Sequence, residues 1–260
     1  MGRSRGRALS AFLRLPRLLA TVWGVRFFRQ PVRMLKCYFQ RRCPDDLLVE
    51  MRNGYRIHLP GDEDDVVTLL AVVGRKDYGP VPAGGVVIDV GAHLGAFMLY
   101  ALMHGAGRVY CYEPDPALRQ VLFKNVRENR LQERVQVQEA AVVGSGSGEV
   151  TFYQEGNASG RLDPYEGETG GISVKALTLS EIVLANQIQH VDMLKLDCEG
   201  SEYGIILDTP KQVWDRIGRV ALEYHKGQTD QIRQRFRELG FRLTRFQAHS
   251  ESVGLMWFER

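Results

Sequence analysis

Two segments of the 260-residue chain crowd carboxylates, a lysine and a histidine into positions where they could act on a ligand. In Met193-Leu194-Lys195-Leu196-Asp197-Cys198-Glu199-Gly200-Ser201-Glu202, strand alternation puts Lys195, Asp197 and Glu199 on one face. Three charges ending a strand are costly unless they are paired or used, and a place near the carboxyl edge of a sheet favours use. Leu222-Glu223-Tyr224-His225 ends a strand expected beside the first, so Glu223 and His225 share a face and can meet Asp197 and Glu199. Such a quartet can supply a general base, hold a divalent metal through oxygen and imidazole, or form a structural ion-pair network. No metal is assigned to it, and His58, His93, His104, His190 and His249 show no ligand spacing to one another.

Two further segments suit a bound cofactor. Val87-Ile88-Asp89-Val90-Gly91-Ala92-His93-Leu94-Gly95 reads as a buried strand running into a small-residue turn and then a helix. Glycines there allow close approach of the backbone, and the helix start offers unpaired N–H groups. The spacing is G-x-x-x-G, so the dinucleotide fingerprint G-x-G-x-x-G is absent and a nicotinamide-dependent oxidoreductase is disfavoured. Asp89 repels phosphate but suits a cationic or hydroxyl-bearing ligand. S-adenosylmethionine carries an ammonium, a sulfonium and a ribose diol. Tyr112-Glu113-Pro114 closes the next strand with a carboxylate, where α/β folds bind ribose hydroxyls.

The elements that must position these residues alternate apolar strand with amphipathic helix. Strands are expected at Val86 to Val90, Arg108 to Glu113, Val135 to Gln138, Val191 to Asp197 and Arg219 to Glu223, and helices at Ala96 to Met103, Pro116 to Asn129, Thr178 to Asn186 and Thr229 to Leu239. The rhythm implies parallel strands with right-handed crossovers, with Phe241 to Phe246 and Gly254 to Phe258 as an edge hairpin. Thr178 and Glu181 make a capping box. Leu47 to Leu59 reads as a hairpin around Asn53-Gly54, a type I′ signal, and Asp62 to Val73 as a helix with Gly74 just beyond its end. Val142 to Tyr153 reads as a strand end and an extra strand, and Gln154 to Gly171 as a mobile loop over the site.

Of the 34 Lys and Arg, eleven lie in the first 43 residues, which hold no Asp or Glu, leaving 23 basic against 31 acidic groups elsewhere. An acidic body argues against nucleic acid gripped across the whole surface. Residues 1–43 read as a basic amphipathic arm, broken at Pro16 and Pro31, able to contact an anionic membrane or a partner protein, or simply to pack on the body. Residues 44–83 form a small cap and 84–260 the main domain. Arg14, Arg17 and Arg26 spoil a secretory signal, and no apolar run is long enough to span a membrane. Cys37, Cys43, Cys111 and Cys198 make no CxxC pair, which suits a reducing, cytoplasmic setting.

The series D-x-G-A-H-x-G, E-P, Thr178-Leu179-x-Glu181-Ile182, K-x-D-x-E-G-x-E and E-x-H, in this order over about residues 50–225, resembles the FkbM family of methyltransferases. The resemblance implies a Rossmann-like class I fold, a doubly wound seven-stranded sheet with one antiparallel strand, and S-adenosylmethionine as cofactor. It places Asp89, Gly91 and Gly95 along the methionine part of the cofactor and Glu113 on its ribose. His93 stands where many members have Asn, altering a cofactor contact. It further implies methylation of a hydroxyl on a glycan, glycolipid or natural-product metabolite. Independently of the resemblance, an alcohol needs a base near neutral pH, so Asp197, Glu199 or His225 is expected to accept its proton, with His225 the preferred base. The rival readings are an RNA methyltransferase using the arm as a phosphate clamp and a noncatalytic binding module of the same fold.

Overall fold

The computed structural model describes residues 17–146, 148–155, 159–164 and 169–260. The helical spacing read at Leu9 to Leu15 lies outside them. The chain enters through helix α1 (17–24) and a 3-10 turn, then α2 (Pro31–Gln40). Pro31 at the start of α2 has a φ suited to a first turn, where its missing N–H costs nothing. Val25, Phe28, Met34 and Cys37 are buried in the same apolar cluster as the main sheet, so the arm from residue 17 is packed on the body. Its cations meet the body's acids: Arg33 lies 2.6 Å from Asp46, Arg41 2.6 Å from Asp64, and Arg29 3.3 Å from Glu50. The charge asymmetry of the sequence is thus in part spent within the chain. No described helix is long and apolar enough to cross a membrane.

Strands β1 (Leu48–Glu50) and β2 (Arg56–His58) pair antiparallel as expected, but the turn is not type I′. Five residues connect them, and of the central pair Gly54 alone has positive φ, at 94°. Asn53 instead accepts the Tyr55 N–H through its side chain at 3.2 Å, the local bond that makes Asn a turn residue without left-handed backbone. The next helix is also shorter than its periodicity suggested. α3 (Asp65–Leu69) passes into a π-helical turn over Leu70–Gly74, so Gly74 belongs to the turn and does not stop it. There the backbones of Gly24 and Gly74 touch: a Cβ added to Gly24 would lie 2.5 Å from Gly74 Cα.

The main unit follows the expected alternation: β3 (Val86–Val90), α4 (Ala96–Met103), β4 (Arg108–Tyr112), α5 (Pro116–Glu128), β5 (Val135–Gln138), β6 (Ala141–Val143), β7 (Gly148–Glu155), β8 (Ser159–Arg161), β9 (Ile172–Thr178), α6 (Leu179–Ala185), β10 (Met193–Leu196), α7 (Glu202–Asp208), α8 (Lys211–Trp214), β11 (Arg219–Tyr224), α9 (Thr229–Glu238), β12 (Arg242–Ala248) and β13 (Gly254–Glu259). Seven strands form one sheet in the order β12-β13-β11-β10-β3-β4-β5. β13 alone runs antiparallel to its neighbours. One face is covered by the cap, α4 and α5, the other by α6 to α9, so the central strands are apolar on both sides. The order of connection reverses between β3 and β10, which opens a crevice at the carboxyl ends of β3, β4 and β10.

The stretch Gln154 to Gly171 departs from the expected loop. β6, β9, β7 and β8 make a second, four-stranded sheet, with β7 reaching Glu155 and β8 covering Ser159–Arg161. Residues 156–158 and 165–168 lie outside the described residues. The signal at β9 was weak because that strand is largely exposed: Ser173 and Lys175 face solvent, and Ala176 is its buried residue. Gly160 sits where Phe152 leaves no room for a side chain, a Cβ there falling 2.2 Å from the ring. The Thr178 and Glu181 capping box at α6 is formed on both sides.

Candidate active site

A cleft of about 350 Å³ lies at the carboxyl ends of the parallel strands, within the range that holds small cofactors. Gly91 and His93 of the β3–α4 turn, Glu113 after β4, Asp197 and Glu199 after β10, and Glu223 and His225 at the end of β11 all line it. Asp89 and Gly95 do not. Asp89 is fully buried, with Oδ1 3.3 Å from Lys195 Nζ, and burial pushes its carboxyl up to about 6 against the pull of that lysine. Neither Asp89 oxygen accepts a hydrogen bond among the described residues. Lys195 in turn donates to the carbonyls of Val90 at 3.2 Å and Gly91 at 2.6 Å, and lies 3.5 Å from Asp197. Asp89 therefore acts through Lys195, which pins the floor of the turn.

Gly91 is glycine for a steric reason. With φ of 72°, a Cβ there would stand 1.8 Å from the Asp197 carbonyl oxygen, so the end of β3 and the loop after β10 could not close together. Gly95, with φ of 90°, precedes α4 where Leu122 and Met98 crowd it, and so serves packing. His93 also adopts left-handed backbone, at φ 54°, which aims its N–H at Glu113 Oε2 over 2.7 Å. The Asp115 N–H reaches Glu113 Oε1 at 2.9 Å. Burial raises the Glu113 carboxyl to about 7, opposed by these two amides. The carboxylate is thus held rigidly at the cleft wall, with acceptor capacity left for a diol. Pro114, Leu118, Ala140, Val142 and Phe152 add an apolar wall fit for a flat base. This donor and acceptor set fits S-adenosylmethionine.

At the other end, ligand atoms of Asp197, Glu199 and His225 lie within 4.8 Å of one another. His225 Nε2 is 3.4 Å from Glu199, and Nδ1 is 3.0 Å from Glu202 Oε1. Burial lowers the imidazole's proton affinity, but the Glu202 bond and the charges of Glu202, Glu199 and Asp197 prevail and raise it to about 9. Asp197 is drawn below the usual range: burial works against ionisation, yet Lys195, His225 and Tyr78 outweigh it. Burial first, and then the charges of Asp197 and Glu199, push the Glu223 carboxyl up to about 8. Glu199 adopts left-handed backbone at φ 53°, just before Gly200. Cys198 is no nucleophile, since burial and Glu202 push its thiol far up.

Several residues here were not assigned from sequence. Glu202, the last acid of K-x-D-x-E-G-x-E, is completely buried and accepts the Cys198 and Gly200 N–H groups at 2.8 Å each. Its spacing was visible but its role was not. Tyr78 comes from the cap, 119 residues away, and donates to Asp197 Oδ2 at 2.6 Å. Arg17, Arg75 and Asp77 also line the cleft, with Arg75 bonded to Asp77 at 2.7 Å. No local pattern links these residues to the motifs.

The sheet order, its one antiparallel strand and a cleft at the reversal point define a Rossmann-like fold of the class I methyltransferase kind. The chain belongs to the FkbM methyltransferase family, whose domain matches residues 89–243, and S-adenosylmethionine is its cofactor. It is 29% identical over 175 residues, 55% of this chain and 66% of the relative, to the 31-O-demethyl-FK506 methyltransferase FkbM of Streptomyces tacrolimicus. The chain thus spans just under two thirds of that protein. It is 22% identical over 205 residues to the methyltransferase sdnD of Sordaria araneosa, covering 66% of this chain and 79% of that one. Among solved structures, a Rossmann-superfamily protein from Streptococcus agalactiae matches with a TM-score of 0.47 at 15% identity, over 72% of this chain and 66% of the other.

Proposed function

We propose that the protein moves the methyl group of S-adenosylmethionine to a hydroxyl of a glycan, glycolipid or natural-product metabolite. The observation that carries this reading is the convergence of Asp197, Glu199 and His225 on the same cleft as Gly91 and Glu113. An alcohol is a poor nucleophile near neutral pH, and acids and an imidazole at the acceptor end meet that need. The name of the Streptomyces relative, a 31-O-demethyl-FK506 methyltransferase, supports oxygen as the acceptor atom.

Held by Gly91 and Glu113, S-adenosylmethionine would supply an electrophilic methyl group for attack by the acceptor oxygen. The O–CH3 bond forms, the CH3–S bond breaks with its electron pair going to sulfur, and the hydroxyl proton leaves to a base. Positioning supplies much of the rate. His225 already carries its proton near neutral pH, held there by Glu202 and Glu199. The accepting role therefore passes to Asp197, which is ionised and fixed by Tyr78 and Lys195. His225 then serves as a cationic hydrogen-bond donor to the acceptor. The test is to incubate the purified protein with S-adenosylmethionine and representatives of each acceptor class, reading S-adenosylhomocysteine release and methylated product by mass spectrometry. Product bearing the methyl on oxygen, lost in Asp197→Asn while S-adenosylhomocysteine still binds, is the expected result. Methylation on nitrogen or carbon would overturn the hydroxyl assignment.

A further inference from the structure

We propose that Asp197, Glu199 and His225 form a binding site for one hard divalent cation of the Mg2+ or Mn2+ kind. Two oxygen donors and one imidazole nitrogen lie within 4.8 Å of one another, so small side-chain shifts bring all three onto a single ion bonded at about 2.1 to 2.2 Å. They come from the ends of two adjacent parallel strands, β10 and β11, and all three line the cleft, so the remaining coordination positions face the ligand space.

The imidazole is set as metal-binding histidines are. Ligating histidines almost always hold their second ring nitrogen against a carboxylate, which fixes the ring and its tautomer. Glu202 does this here: it lies outside the triad, is fully buried, is anchored by two backbone amides, and meets His225 Nδ1 at 3.0 Å, leaving Nε2 toward Glu199. Charge points the same way. Lys195 and His225 are the cations set directly among Asp89, Asp197, Glu199 and Glu202, with His249 3.9 Å from Glu223 at the edge. A divalent ion on the triad restores the balance, taking the place of the Nε2 proton. Soft thiolate ligation is absent from the triad, which sets the preference for an oxygen-seeking ion.

What the cation does rests on the methyl-transfer reading; whether it binds does not. With the cation bound, Asp197 and His225 would serve as its ligands in place of the proton-accepting and proton-donating roles they take without it; the ion would lower the proton affinity of the acceptor oxygen, whose proton would leave to water as the methyl passes from sulfur to oxygen.

The test uses the full chain, stripped with chelator, and titrates Mn2+ by electron paramagnetic resonance of the free ion, with and without S-adenosylhomocysteine. One Mn2+ per chain is expected, competed by Mg2+. Glu199→Gln and His225→Ala should each weaken it at least about ten-fold, and Glu202→Gln about ten- to a hundred-fold. Glu199 is partly exposed, so its variant keeps the test valid if Glu202→Gln fails to fold. S-adenosylhomocysteine binding, followed calorimetrically on the same samples, should persist in Glu199→Gln and His225→Ala. No Mn2+ binding by wild type that binds S-adenosylhomocysteine overturns the metal site and leaves the methyltransferase reading standing. Mn2+ affinity unchanged in both variants overturns it too, as does loss of S-adenosylhomocysteine binding in them without any Mn2+ site, which would give the cluster to the cofactor's own positive charge.

Discussion

Glu202 and His225 are joined across 3.0 Å at the mouth of the cleft, and the carboxylate is buried completely while the imidazole is half-buried. Burial alone would favour the neutral ring, so the value of about 9 is the work of Glu202 first and of Glu199 and Asp197 after it. Glu202→Gln should bring the His225 titration, followed by NMR, back by one to two pH units on the scale of such contacts. A folded-state value above the unfolded 6.5 means the pair stabilises the fold fully below about pH 6.5, and that the stabilisation is lost as pH rises through about 9. The gap in Tm between wild type and variant should therefore be widest at pH 6 and narrow by pH 9.5. A gap that does not change with pH would remove the linkage.

Gly91→Ala should be among the most damaging small substitutions in the chain. The added methyl carbon falls 1.8 Å from the Asp197 carbonyl at a φ of 72°, and backbone cannot yield as a side-chain tip can. We expect a loss of about 3 kcal/mol or more, read as a drop in Tm of about 10 °C, and greatly weakened S-adenosylhomocysteine binding. Gly54→Ala, at φ 94° with no atom within 4 Å, is the control for backbone strain alone and should cost about 1 kcal/mol.

The sheet was legible in the sequence because its strands are buried on both faces and bounded by capping signals. Val86 to Val90 and Met193 to Leu196 read as apolar runs broken only by Asp89 and Lys195, and the Thr178 and Glu181 box marked α6. The second sheet was legible in part: Val142 to Tyr153 marked β6 and most of β7, but β8 and β9 were missed, since β9 exposes Ser173 and Lys175 and its alternation carries little burial signal. The site divides similarly. Asp197, Glu199, Glu223 and His225 could be brought together by strand alternation and adjacency. Tyr78 could not, because its contact with Asp197 depends on how the cap docks, a tertiary relation. Asp89 was visible as a buried acid at a strand end, yet nothing local says it faces Lys195 and not the ligand.

Tyr78→Phe tests that docking contact with minimal change of shape. The hydroxyl bond to Asp197 Oδ2 at 2.6 Å ends on a charged acceptor, so its loss should cost about 1.5 to 3 kcal/mol in urea unfolding. It also helps hold Asp197 ionised, so the acid limb of the rate profile should move to higher pH in the variant. Unchanged unfolding and an unchanged acid limb would mean that the cap does not position Asp197 in solution.

Glu113 makes the sharpest prediction for the cofactor. Its carboxyl, raised to about 7 by burial, is half-protonated near neutral pH in the free protein, whereas a ribose diol donating to it favours the ionised form. Ligand binding should therefore take up the ionised state and release protons below about pH 7. Affinity for S-adenosylhomocysteine should rise from pH 6 to pH 8 and then level off, and calorimetry in buffers of different ionisation heat should show protons released at pH 6.5 and none at pH 8.5. Glu113→Gln should weaken binding about ten-fold or more and flatten this pH dependence, because the amide has no proton to lose in this range. If affinity is flat across pH 6 to 8 in the wild type, Glu113 is not the group that meets the diol.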